Sequence, residues 1–176
     1  MSATPSPWVV RWAGAIAPHG RVLDLACGPG RHVRYLASRG LRVTAVDRDR
    51  EALAQSRGIA AESIEADLEA DAWPLPGRQF DAVVVTNYLW RPLLPAIAAC
   101  VADGGLLLYE TFALGQEHFG RPSNPHFLLR PGELLEAAQG LHVLAYEDGV
   151  AALPDRRVQR LAAWRPRGNA DPPRLQ

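Results

Sequence analysis

Three aspartates in this chain, Asp24, Asp47 and Asp67, each close an apolar run, and the first is followed at once by the turn Leu25-Ala26-Cys27-Gly28-Pro29-Gly30-Arg31. Glycine lets a backbone come close to a ligand, because no Cβ stands in the way. The residues after the turn, Arg31–Ala37, follow a helical pattern. Their free N–H groups and positive dipole end therefore face whatever lies over the turn. Such a turn suits an anionic group on a nucleotide-like cofactor. Asp47 stands 17 positions beyond Gly30 (47 − 30). That is close to the spacing at which an acid ending a second strand accepts hydrogen bonds from ribose hydroxyls. A dinucleotide site also wants a third glycine for close packing of helix on strand, and Val33 occupies that position. A nicotinamide-dependent oxidoreductase is therefore the weaker alternative.

A second group of reactive side chains lies further along. Thr86-Asn87-Tyr88-Leu89-Trp90-Arg91 follows the most apolar run of the chain, and Glu110-Thr111-Phe112 leads into a long irregular stretch, 111–130. Loops of that length are uncommon unless functional or disordered, and aromatics, histidines and arginines argue against disorder. The stretch reads as a lid over an acceptor site. Within it, Arg121 and Arg130 are candidates for an anionic group, since guanidinium forks match oxyanions. His118 and His126 are candidates for a base, and Tyr88 is a further catalytic candidate; the catalytic residue itself stays open. The chain has no lysine, which excludes Schiff-base chemistry. Five scattered histidines and two cysteines, Cys27 and Cys100, show no metal-ligand spacing, so no metal is expected.

These residues have to be positioned by regular elements. The pattern predicts a helix over 7–17, begun by Ser6 and Pro7, and strands at Arg21–Leu25, 41–46, 60–66, Phe80–Thr86, 106–110, 141–147 and 157–164. Helices are expected after the glycine turn, after Asp49, from Pro92 to Val101 and near 132–139. Strands alternating with helices give an α/β fold with a mostly parallel sheet, helices on both faces and a final antiparallel hairpin. Ligands of such sheets bind beyond the carboxyl ends of the strands, which is where the three aspartates stand.

The run Val22–Arg31 resembles motif I of the class I S-adenosylmethionine-dependent methyltransferases, and the element order over 7–166 is similar to their seven-stranded Rossmann-like sheet. The resemblance implies S-adenosylmethionine as cofactor. It implies that Asp24 orients the cofactor's amino group, that Ala26, Gly28 and Gly30 lie against its methionine and ribose portions, and that Asp47 binds the ribose. Asp67 with Leu68 would take the adenine, and Asn87 would line the methyl end. Alanine at 26 replaces the usual first glycine, as it does in one form of the motif. The stretch from Gly104 through Leu135 also resembles small bacterial methyltransferases related to the tellurite-resistance enzymes. Asn87-Tyr88-Leu89-Trp90 lacks the Asn-Pro-Pro-aromatic signature of many enzymes that methylate amino groups on bases or glutamine. A small-molecule acceptor is the expectation, and a non-catalytic cofactor-binding protein of the same fold is the alternative.

The bulk numbers agree with one domain. The chain has 176 residues, 48% of them hydrophobic, and 19 basic against 19 acidic side chains. A balanced charge offers no general argument for a nucleic-acid or membrane partner. A disordered segment 1–6, a domain 7–166 and a flexible tail 167–176 are expected, in the cytoplasm by default. The oligomeric state is not written in the sequence.

Overall fold

A computed structural model describes residues 4–174. Seven strands form one sheet: β1 (Arg21–Leu25), β2 (Arg42–Asp47), β3 (Glu62–Glu65), β4 (Phe80–Thr86), β5 (Val101–Phe112), β6 (His142–Ala151) and β7 (Arg156–Trp164). Their spatial order is β3-β2-β1-β4-β5-β7-β6. The first five run parallel, while β7 lies antiparallel to both β5 and β6. The strand order reverses between β1 and β4, so a crevice opens at their carboxyl ends.

Helices cover both faces. On one side α1 (Pro7–Trp12), α2 (Arg31–Ser38) and α3 (Arg50–Ala54) bury Trp8, Trp12, Leu36 and Leu53 against Val22, Val43, Val84 and Leu108. On the other, α4 (Leu94–Ala99) and α5 (Glu133–Ala137) bury Ile97 and Leu134 against Leu23, Val83, Leu107 and Leu161. A strand buried on both faces reads as a continuous apolar run, and β4 shows it in Ala82–Val85. Asp24 interrupts that rule in β1: its carboxylate is buried at 1% exposure. Among the described residues no helix is long and apolar enough to cross a membrane.

The differences from expectation have local causes. The first helix is α-helical only to Trp12 and ends in a 3₁₀ turn, Ala13–Ala15. The third strand is shorter than 60–66 because it is a polar edge strand, paired to β2 alone. The helix expected from Pro92 to Val101 is a 3₁₀ turn, Arg91–Leu93, followed by α4, and Val101 already pairs with Phe80. Gly104 and Gly105 lie inside β5 rather than before it. A Cβ on Gly105 would stand 2.9–3.1 Å from the carbonyl oxygens of Ala102, Phe80 and Asp81, so only glycine passes this irregular register.

The N-terminal segment 1–6, expected to be disordered, needs correction at its end. Residues 1–3 lie outside the described residues, but Ser6 is buried. Its Oγ accepts from the Trp8 N–H at 3.1 Å, capping α1, and donates to Glu110 Oε1 at 3.2 Å. Its N–H donates to His32 Nε2 at 3.0 Å. Residues 167–174 carry no helix or strand, and 175–176 lie outside the described residues. Losing an N-cap costs about 1 kcal/mol, more when a buried partner is also deprived. Ser6→Ala is therefore expected to lower stability by about 1–2 kcal/mol, read as a shifted urea midpoint with an unchanged slope.

Candidate functional site

The site starts where β1 leaves the sheet. Ala26 (φ +53°), Gly28 (φ +53°) and Gly30 (φ +77°) all take left-handed backbone, a strained state for alanine that costs about 1–2 kcal/mol. A Cβ on Gly30 would meet Ser56 Cβ at 2.8 Å, so glycine is required where α2 passes the end of α3. The turn is tied to the end of β2. The Gly28 N–H donates to Asp47 Oδ2 at 2.6 Å, the Cys27 N–H to the Val46 carbonyl at 3.0 Å, and the Asp49 N–H to Asp47 Oδ1 at 2.9 Å. Asp47 thus faces the turn.

Asp24 sits behind the turn with neither carboxylate oxygen in a hydrogen bond of good geometry in the described structure. Its nearest basic group is His32, whose Nδ1 lies 4.0 Å from Oδ1. The His32 Nε2 accepts from Ser6, which puts the ring proton on Nδ1, toward Asp24. Burial keeps this imidazole neutral, with its pKa lowered to about 3, and the charge of Arg31 acts in the same direction. Burial raises Asp24 to about 7 against the opposing pull of Arg31. A buried, poorly partnered carboxylate of this kind gains most from a cationic ligand that can hydrogen-bond to it.

A cleft of about 150 Å³ opens on the other side of the turn, lined by Ala26, Asp47, Arg48, Asp67, Leu68 and Tyr88 among others. Asp67 Oδ1 accepts from the Glu69 N–H at 3.0 Å, and its Oδ2 lies 3.8 Å from Arg48. The Tyr88 hydroxyl is enclosed without a partner, and burial pushes its pKa above the usual phenol value. Tyr88 therefore lines the same cleft as Asp67.

Asn87 follows β4 in left-handed backbone (φ +55°), exposed, with its N–H donating to the Glu110 carbonyl at 2.9 Å. The segment 111–130 packs beside it. Thr111 and Phe112 continue β5, two 3₁₀ turns follow, and Leu128 and Leu129 are buried. Arg91 clamps the segment: its Nε and Nη2 reach the Glu133 carboxylate at 2.6 and 2.9 Å, and its Nη groups reach the carbonyls of His126 and Leu128 at 2.7 and 2.9 Å. Burial disfavours the charged Glu133, but the Arg91 and Arg130 N–H donors outweigh it and hold the carboxyl below the usual range. Arg130 is engaged by Glu133 and Glu136. His118, His126 and Arg121 are all exposed.

The sequence reading did not single out Arg156 and Arg160, which reach Glu110 from β7 at 3.2 and 2.7 Å. The signal was there: two arginines four apart with Val158 between them, on the strand face that turns out to be buried.

Residues 22–105 match the family model described as a methyltransferase domain. Among curated relatives, the chain is 40% identical over 98 residues to trans-aconitate 2-methyltransferase of Paracidovorax citrulli, covering 51% of this chain and 37% of that protein. It is 41% identical over 98 residues to malonyl-[acyl-carrier protein] O-methyltransferase of Enterobacter lignolyticus, covering 53% and 39%. The chain spans well under half the length of these relatives. The structure is similar to TehB from Haemophilus influenzae, with a TM-score of 0.75 at 23% identity over 92% of this chain and 62% of that one.

Two outcomes follow from the geometry. The native state holds a proton on Asp24 that the unfolded chain releases above about pH 4, so stability falls with rising pH between there and about 7. Asp24→Asn removes this slope. Its melting temperature minus that of the parent should climb across that window and level off above it; a difference that falls with rising pH would refute the burial argument. Arg91→Ala leaves Glu133 buried without its main partner and should cost about 2–3 kcal/mol at pH 7. The Glu133 pKa is depressed in the folded state, so this loss should fade as pH drops through the folded value, measured by urea unfolding at pH 7 and pH 3.5.

Proposed function

Sharing the fold and the glycine-turn motif of the class I S-adenosylmethionine-dependent methyltransferases, this chain, we propose, transfers a methyl group to a small-molecule acceptor. One observation carries the reading: the buried Asp24 carboxylate, without a hydrogen-bond partner of good geometry in the described structure, faces the glycine turn at the same strand edge as Asp47 and the cleft of Asp67 and Leu68. Those residues fit the cofactor. Asp24 takes the ammonium of its methionine arm, the turn Ala26–Gly30 lies against that arm, Asp47 accepts from the ribose hydroxyls, and Asp67 with Leu68 holds the adenine. S-adenosylmethionine, when bound, supplies a methyl group on a positively charged sulfur that a nucleophile can displace in line.

The remaining work is orientation, which can contribute up to about 7–11 kcal/mol. Asn87 stands at the methyl end. The segment 111–130, pinned through Arg91, forms a wall over the acceptor. A strong base is required only for a nucleophile that starts protonated, and the exposed His118 and His126 are the candidates for it. Arg121 and Arg130 stay candidates for contact with the acceptor at the rim. The relatives named above act on acceptors as different as trans-aconitate and a malonyl group on a carrier protein, so the motif half does not select one.

Calorimetry tests the reading. Two hydrogen bonds to a charged acceptor are worth roughly 1.5–3 kcal/mol each, so Asp47→Ala should weaken S-adenosylhomocysteine binding by about 100-fold or more. Undiminished affinity would remove the ribose assignment. Cofactor binding without label transfer from methyl-labelled S-adenosylmethionine to any of a broad acceptor panel would favour a non-catalytic binding protein.

A further inference from the structure

Three arginines surround one buried carboxylate at the strand edge where the acceptor has to lie. Glu110 ends the apolar run of β5 and is fully buried. Strand register sets Arg160 of β7 opposite it on one side and Thr86 of β4 on the other. Arg160 Nε lies 2.7 Å from Glu110 Oε2, too bent for a hydrogen bond, and its Nη1 reaches Glu147 at 3.3 Å. Arg156 donates one Nη2 bond to Glu110 Oε1 at 3.2 Å. Its Nε–H is enclosed and meets no acceptor in the described structure. Arg31, first residue of α2, donates to Thr86 Oγ1 at 3.4 Å and has no ion-pair partner among the described residues.

Arg156 and Arg160 are ion-paired with Glu110 and Glu147, with the exposed Arg11 also on Glu147, while the positive charge of Arg31 is left without an ion pair among the described residues. Burial and the nearby Arg156 both disfavour the charged Arg31, against the pull of Glu110 and Asp24. A guanidinium in that position gains from a further anion. Its location matters equally. Arg31 directly follows Gly30, Thr86 directly precedes Asn87, and Asn87 is bonded to Glu110, so the charge of Arg31 stands beside the methyl end of the cofactor site.

We propose that Arg31 and Arg156, positioned by Thr86 and Glu110, bind a carboxylate of the methyl acceptor, which is therefore a small organic acid. The inference rests on the methyltransferase reading above. The single charge of Arg31 matches a monoanion, and paired N–H donors match the two oxygens of a carboxylate. Glu110 is a positioning residue: it touches the arginines and not the acceptor. The anion site thus belongs to β7 and α2, away from the rim arginines of the 111–130 segment.

The test uses the full chain saturated with S-adenosylhomocysteine, whose binding is checked first by calorimetry. Benzoate is titrated in while the arginine Nε–H resonances are followed by NMR, with benzamide as the neutral isostere and phenyl phosphate as the dianion. Benzoate should shift the Arg31 and Arg156 signals saturably, with a Kd on the order of 1–10 mM, and benzamide should not. Arg156→Gln should weaken benzoate by about tenfold, Arg156→Lys by less, and S-adenosylhomocysteine affinity should stay within about threefold in both. Arg31→Gln gives the same reading from the opposite side should the position 156 variants fail to fold. Silence of both signals, an equal response to benzamide, or tighter phenyl phosphate binding overturns the carboxylate site. Failure of S-adenosylhomocysteine to bind at all strikes the methyltransferase reading instead.

Discussion

Strand β1 lies between β2 and β4 with helices over both its faces, so any polar group it carries has to be satisfied from within or by a ligand. Asp24 is that group. Its backbone is held by two ladders, its side chain points to the α2 face, and in the described structure neither oxygen has a partner of good hydrogen-bond geometry, the Val33 N–H acting on it only weakly. The strain and the turn chemistry around it follow from this constraint. The chain has to leave the sheet at Leu25, swing past the end of β2 and begin a helix within a few residues. Only left-handed backbone at Ala26, Gly28 and Gly30 permits such a path.

The same edge receives polar groups from distant parts of the chain, and each is supported by a neighbour. Asp47 is aimed by the Gly28 N–H, and Asn87 is fixed by the Glu110 carbonyl. His32 and Ser6 link the α1 cap to the neighbourhood of Asp24, while Ser6 Oγ reaches Glu110. The surroundings of Asp24 and of Glu110 are therefore joined through one serine, the N-cap of the first helix. Opposite it, Arg91 and Glu133 bind the 111–130 segment to the second core. That segment carries two buried leucines and is bonded by Arg91 at the His126 and Leu128 carbonyls.

Particular residues show what could be read in advance. The bounds of β1 and β4 agree with the apolar runs because both strands are buried on both faces, β1 stopping at Leu25 before the glycine turn and β4 at the polar Thr86. The edge strand β3 was overextended because an edge gives no such boundary. The start of β5 was placed too late: Gly104-Gly105 has the composition of a turn, yet close approach to Phe80 and Asp81 makes it part of the strand. Tyr88, a catalytic candidate by its place after β4, lines the cleft of Asp67 and Leu68, with its hydroxyl buried.

Local spacing determined the alternation of strands and helices, the glycine turn and the three acids at successive strand ends, because each depends on residues within one short element. Tertiary structure decided where the charges meet. Arg156 and Arg160 reach Glu110 only through the antiparallel register of β5 with β7, nearly fifty residues apart in sequence. Arg130 is taken up by Glu133 and Glu136, and Asp24 and His32 lose their solvent only when α1 and α2 close over the sheet. Pairings of that kind arise from strand register and burial, which no local pattern encodes.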